Sequence, residues 1–199
     1  MNYFSKLKNK NAGFTLTELI VVITIATAMM TSLVFQQAKW NDNLAVSAQA
    51  YDLALMIRQA QIYSLGVKED KSASSGDKFN IGYGIYLSQN NLSQYIYFAD
   101  RNGNQKYDSG EAIETKTFTR GVTIKDVCGT GANGCFPGTG PLASVHIFFL
   151  RPDTRVIMSL LNAGGGSTGD PPVTIRLQSP KGKYYSVRVE SNGQVSIFQ

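Results

Sequence analysis

Histidine is almost missing from this chain, with His146 the single one among 199 residues, and cysteine occurs only twice, at Cys128 and Cys135. That poverty excludes metalloenzyme clusters, histidine-based triads and multi-cysteine zinc sites. Charge is sparse too, since Asp, Glu, Lys and Arg make up 17% of the residues against 43% apolar. A chain this apolar is not intrinsically disordered, and its length suits one domain, or one domain with an appendage. Nucleophile elbows, phosphate-binding glycine loops, dinucleotide fingerprints and internal repeats are likewise missing, so no enzyme activity is expected.

What charge there is lies unevenly. Three of the five excess positive charges are Lys6, Lys8 and Lys10, so a chain starting after residue 13 carries only +2. A near-neutral body has no electrostatic footprint for nucleic acid. The early lysines instead flank the one long apolar run, residues 14–38, in which Glu18 is the only charge. As a helix this run spans the ~30 Å hydrocarbon core of a bilayer. With lysines before it, the positive-inside rule keeps the N-terminus in the cytoplasm and sends everything after Trp40 across the membrane.

Three readings fit the run. One is a plain signal anchor. Another is a cleaved secretory signal, with Ala26-Thr27-Ala28 as the small-x-small site. Against it, Glu18 interrupts the apolar region, which continues past Ala28 through Met29, Met30, Leu33, Val34 and Phe35. The third rests on residue order: a basic leader ends in Ala12-Gly13, and Phe14-Thr15-Leu16-Thr17-Glu18-Leu19-Ile20-Val21-Val22-Ile23 follows. This order resembles the class III signal of type IV pilins and type II secretion pseudopilins.

The resemblance implies that a prepilin peptidase cuts between Gly13 and Phe14, methylates the new terminus, and leaves the apolar segment as an assembly helix. It implies three parts: a leader at 1–13, a transmembrane and assembly helix at 14–40, and an exported soluble domain at 41–199. An ionisable residue inside an apolar helix is costly in lipid and points to function, and the new α-amino group of a neighbour's Phe14 is the partner the resemblance implies for Glu18. Many major pilins carry a proline within this helix. Here there is none, which excludes a proline kink and favours a minor pilin or pseudopilin.

The helical pattern continues through Leu44, Ala48, Tyr51, Leu55, Ile62 and Leu65, with Asp42, Asp52, Arg58 and Gln59 between, and Gly66 as a stop. It predicts one helix over 14–65, transmembrane and then amphipathic, lying on something through that stripe. Short β-branched and aromatic runs follow at 79–87, 94–99, 115–118, 122–127, 145–150, 156–160, 173–177, 184–189 and 195–198. Between them lie turn signals at 164–169, 180–182 and 192–193. Strands without intervening helices predict antiparallel hairpins on one helix, an α+β fold. With an RQAQI stretch in the helix and a closing NGQVSIFQ, the layout is similar to the minor pseudopilins typified by H-type secretion subunits and T-type fimbrial proteins. Segments 68–78 and 163–172 read as surface loops.

Residues 100–111 place oxygen donors at calcium-loop spacing: Asp100, Asn102, Asn104, Asp108 and Glu111 through side chains, and Lys106 through its carbonyl. Gln105 stands where such loops usually have glycine, and the preceding run reads as a strand, so a polar hairpin turn remains the alternative. Cys128 and Cys135 bracket a glycine-rich stretch, and in an exported domain a disulfide is the expected state. His146 alternates with Val145 and Ile147 and reads as a packed residue. Late basic residues, Arg151, Arg155, Arg176, Lys181, Lys183 and Arg188, raise a DNA-contacting face, against which scattered surface charge is the plainer explanation.

The function so implied is a minor pilin or pseudopilin in the cytoplasmic membrane. Its partners are prepilin peptidase, other pilin or pseudopilin subunits, the inner-membrane assembly platform and membrane lipid. The other class is a membrane-anchored exported module that captures a ligand such as DNA. Mass spectrometry of the membrane-extracted protein separates the readings of the apolar run. A methylated chain beginning at Phe14 is expected, whereas a mature terminus at Met29 establishes the secretory signal.

Overall fold

The computed structural model describes residues 13–66, 69–70, 81–130, 134–138, 141–150 and 156–199. Contacts divide the chain into two units, Met1–Trp40 and Asn41–Gln199. Helix α1, Leu16–Leu65, begins in the first and ends in the second.

In the first unit the helix is apolar all round and has no protein core of its own, its large side chains from Phe14 to Phe35 being exposed. The start is set by Thr15, whose Oγ1 accepts the Glu18 N–H at 3.3 Å while its carbonyl accepts the Leu19 N–H at 3.1 Å. Three hydroxyls within the run bond back to their own helix. Thr24, Thr27 and Thr31 donate to the carbonyls of Val21, Thr24 and Thr27 at 2.8, 3.0 and 2.8 Å, so they need no outside partner in an apolar medium.

In the second unit α1 ends where expected. The Gly66 N–H reaches the Ile62 carbonyl at 2.7 Å, and a Cβ on Gly66 would sit 2.9 Å from that oxygen. The helix does lie on strands, but on a different face from the one the pattern predicts. Val46, Ala50, Leu53, Ile57, Ala60 and Ser64, at steps of four and three, are buried, while Leu44, Ala48, Tyr51, Leu55 and Ile62 face outward. On the buried side the small Ala45, Ala50, Ala54 and Ala60 pack together with Leu53 and Ile57 in the core. Polar contacts fix its position. Tyr83 N–H donates to Ser64 Oγ (2.9 Å), Ser179 Oγ to Asp42 Oδ2 (2.6 Å), and Arg58 Nη2 to the Val195 carbonyl (3.3 Å).

Among the described residues ten strands follow: β1 Gly82–Ser88, β2 Asn91–Asp100, β3 Ala112–Thr117, β4 Thr123–Thr130, β5 Cys135–Phe136, β6 Leu142–Phe149, β7 Val156–Asn162, β8 Ser167–Gln178, β9 Tyr184–Val189 and β10 Val195–Phe198. Every ladder is antiparallel, in the order β10-β9-β8-β7-β6-β1-β2-β3, with β4 beside β8 and β5 beside β4. The architecture is the α+β arrangement that the resemblance implies. Strands alternate with period two, so Tyr83, Ile85, Tyr95, Tyr97, Val145, Ile147, Ile175 and Val187 join the helix in one core.

Segment 163–172 is not a loop throughout, because β8 starts at Ser167. Its first residues pair with β7 (Leu161↔Ser167, Leu160↔Gly169) and residues 173–178 pair with β9. Pro171 and Pro172 fall between these two ladders, where neither needs their missing N–H. Most of 68–78, and residues 79–80 of the first predicted strand, lie outside the described residues.

Candidate functional site

At the N-terminal segment, Gly13 and Phe14 precede the helix and are exposed. A Cβ on Gly13 would meet nothing within 4 Å, so packing does not require glycine there. Glu18, three residues into α1, is held on its own helix, with Thr15 Oγ1 donating to Glu18 Oε2 at 3.5 Å. With the Glu18 N–H bond this forms one half of a Thr-x-x-Glu cap, since the carboxylate meets the Thr15 hydroxyl and not its backbone N–H. Lys6, Lys8, Lys10 and Ala12 lie outside the described residues.

The loop between β2 and β3 is organised by two buried carboxylates at its ends, Asp100 and Glu111. Asp100 Oδ1 accepts the N–H groups of Gly103 (2.8 Å) and Asn104 (3.1 Å), and Oδ2 accepts that of Gln105 (2.7 Å). Glu111 Oε1 accepts from Arg101 N–H (2.9 Å) and Asn102 N–H (3.3 Å), and Oε2 from Asp108 N–H (2.9 Å). Asn102 and Asn104 turn their Oδ1 atoms to the N–H groups of Asn104 (3.0 Å) and Lys106 (2.8 Å). Both amides donate to Asp108 Oδ2, which holds that carboxyl below the usual range. Gln105 adopts φ +64°, the left-handed conformation for which glycine is the usual choice, so the side-chain mismatch does not alter the turn. Among the described residues no three His, Cys, Asp or Glu side chains gather as a metal-holding group. The carboxylates serve backbone amides, and the Asn oxygens keep a second lone pair each.

The loop is clamped to the outer side of the sheet through Tyr107. Its ring lies 4.8 Å from that of Tyr86 and 5.7 Å from that of Phe98, and its N–H donates to His146 Nδ1 at 2.8 Å. Room for these rings comes from β1, where a Cβ on Gly84 would fall 2.7 Å from Phe98 and one on Gly82 would fall 2.0 Å from Phe148. His146 is buried, and burial first, then the Lys106 charge, lowers its pKa to about 4. It is a packed neutral imidazole that accepts a backbone N–H, a role alternation alone did not reveal because the partner lies 39 residues away.

Cys128 and Cys135 are bonded and stand opposite each other on β4 and β5, with a Cα–Cα distance of 4.3 Å. Of the late basic residues, Arg176 pairs with Asp126 at 3.0 Å and Arg188 with Glu190 at 2.6 Å. Lys181 and Lys183 flank the turn before β9, and Arg151 and Arg155 lie outside the described residues. With two arginines neutralised by adjacent carboxylates, no continuous cationic face arises among the described ones.

Residues 8–34 match the family model of the prokaryotic N-terminal methylation motif. The N-terminal segment therefore carries the prepilin-type signal, and α1 is long and apolar enough to cross a membrane. No curated protein matches the chain. Two structures of the minor pseudopilin EpsH from the type II secretion system of Vibrio cholerae are similar to it. One has 11% identity, covers 77% of this chain and 96% of the chain in that structure, and gives a TM-score of 0.44; for the other the figures are 14%, 78%, 94% and 0.44.

His146 makes stability pH-dependent in a defined direction. The imidazole binds its proton more weakly in the folded chain than the ordinary value near 6.5, so this contribution is complete above pH 6.5 and is lost as pH falls to about 4. The loss amounts to roughly 3 kcal/mol. Urea unfolding at pH 7 and pH 4.5, without added calcium, is expected to show a steeper decline for the wild type than for His146→Gln. Equal declines contradict the assignment.

Proposed function

We propose that this chain is a minor pilin or pseudopilin, a structural subunit cut after Gly13 by prepilin peptidase and built into a filament through the helix that starts at Phe14. The observation that carries this reading is the conjunction of the methylation motif at 8–34 with a helix whose apolar side chains find no core in their own chain. Such a surface is covered by lipid before assembly and by neighbouring helices after it. The cytoplasmic lysines and the exported 41–199 domain follow from the positive-inside rule, and insertion through an inner-membrane platform follows from the same reading.

In that role Glu18 exchanges partners. In the single chain its carboxylate is held by Thr15; in the filament it meets the terminal amine of an adjacent subunit, so that two charges costly in an apolar medium neutralise each other. Glu18→Ala is expected to be processed and inserted normally, yet to fall at least tenfold in the filament fraction. Normal co-purification with assembled filaments rejects this role. A solitary capture module for DNA is less well supported, since Arg176 and Arg188 are already paired.

We further propose that residues 100–111 take one calcium ion through Asp100, Asn102, Asn104, the Lys106 carbonyl, Asp108 and Glu111. The left-handed turn at Gln105 supports this reading. Calcium would cross-link the two ends of the loop as a hard cation held by oxygen donors. Because Asp100 and Glu111 also organise the backbone, the informative variant is at exposed Asp108. Calcium at tenfold its dissociation constant should add about 1.4 kcal/mol of stability, seen as a rise of a few degrees in Tm. Asp108→Ala should reduce that rise. No response of the wild type to millimolar calcium makes the loop an ordinary polar connection.

A further inference from the structure

The apolar run of α1 is bounded by aromatic rings. Within the Met1–Trp40 unit, Phe14 stands just before the helix and Trp40 at the far end of the unit, 80 and 77% exposed. Trp40 is the only tryptophan in the chain. Large apolar side chains recur from Leu16 to Phe35, a span of about 29 Å at the helical rise and close to the ~30 Å thickness of a hydrocarbon core. Trp40 lies about 7.5 Å beyond Phe35 along the helix, which carries its Cα through a headgroup layer roughly 5–7 Å deep. Side chains on a helix lean toward its N-terminus, so the indole reaches back to the boundary and not outward into water. An indole is an apolar body with one N–H donor, which suits a layer with hydrocarbon on one side and carbonyls, phosphates and water on the other. Asn41, Asp42 and Asn43 follow directly, so the boundary cannot lie further along the chain.

We propose that Trp40 is the anchor that sets the depth of the helix in the membrane, its indole seated among the lipid headgroups of the exported side. This rests on the membrane-spanning part of the reading above and not on assembly. With Trp40 fixed there, Glu18 on the same helix falls about 33 Å away, at the cytoplasmic boundary and not in the middle of the hydrocarbon. Before assembly its carboxylate then meets interfacial water as well as the Thr15 hydroxyl, and the subunit waits in the membrane without the full cost of a carboxylate in lipid. A helix free to slide loses that placement. Movement by one turn toward the exported side draws Glu18 about 5.4 Å into the core.

The test uses the full chain, extracted from the membrane and reconstituted into phosphatidylcholine vesicles, with Trp40 as the sole tryptophan signal and Trp40→Phe as the blank. Quenching by lipids brominated high on the acyl chains should be about twofold stronger than by lipids brominated near the chain ends, and aqueous iodide should quench weakly. Strongest quenching from the chain ends, or efficient iodide quenching without a bromolipid effect, overturns the anchor. The depth of the opposite end is read separately through Thr17→Cys, the only free thiol because Cys128 and Cys135 are bonded to each other. Adding Trp40→Ala should slow its reaction with a membrane-impermeant maleimide by about threefold, as the helix slides and the thiol enters the core. An unchanged rate also overturns the depth-setting role. If carbonate washes the wild type from the vesicles, the membrane-spanning reading fails and the anchor with it. If the wild type resists carbonate but the quenching profile is inverted, the anchor alone fails.

Discussion

An apolar helix without a core of its own is the constraint on which the rest of the molecule depends. From Phe14 to Phe35 the chain presents large aliphatic and aromatic side chains to its surroundings. Leaving them in water costs about 25 cal/mol for each Å² of apolar surface, which makes an isolated soluble state untenable. The few polar groups in the segment are arranged around that fact. Thr24, Thr27 and Thr31 bond back to the helix, and Glu18 is held by Thr15. Whatever covers this helix determines where the protein resides.

In the Asn41–Gln199 unit the helix is held on the strands by polar bonds as well as by packing. Alanines at 45, 50, 54 and 60 are buried on its inner side, and bonds at Asp42, Arg58 and Ser64 join it to the turn before β9, to β10 and to β1. Strand β8 binds the platform together by pairing with β7 at its start and with β4 and β9 further on. The same packing leaves Leu44, Tyr51, Leu55 and Ile62 exposed on the opposite side of the helix.

Legibility in the sequence followed the range of the interactions. Strands β9 and β10 were readable to the residue, because Pro-Lys-Gly and Asn-Gly bound them and Gly182 and Gly193 both take φ +83°. The helix was readable in extent but not in facing. Large side chains at 44, 51, 55 and 62 dominate the periodicity, while close packing selected the alanine-rich side. Strand β5 was missed because two residues held opposite β4, with a disulfide between them, leave no periodic trace. The β8 start was hidden by glycine and proline at 164–172, a composition that elsewhere means a loop. In the 100–111 segment the spacing of oxygen donors was legible. The clamp of Tyr107 on Tyr86 and His146 was not, since it joins residues far apart in the chain.

The filament reading meets its most direct test in the location of the unaltered protein. Filaments sheared or purified from cells that assemble them, analysed by peptide mass spectrometry, should contain this chain beginning at Phe14 as an integral component that survives detergent washing. Finding the mature chain confined to the membrane fraction while complete filaments lack it contradicts the account.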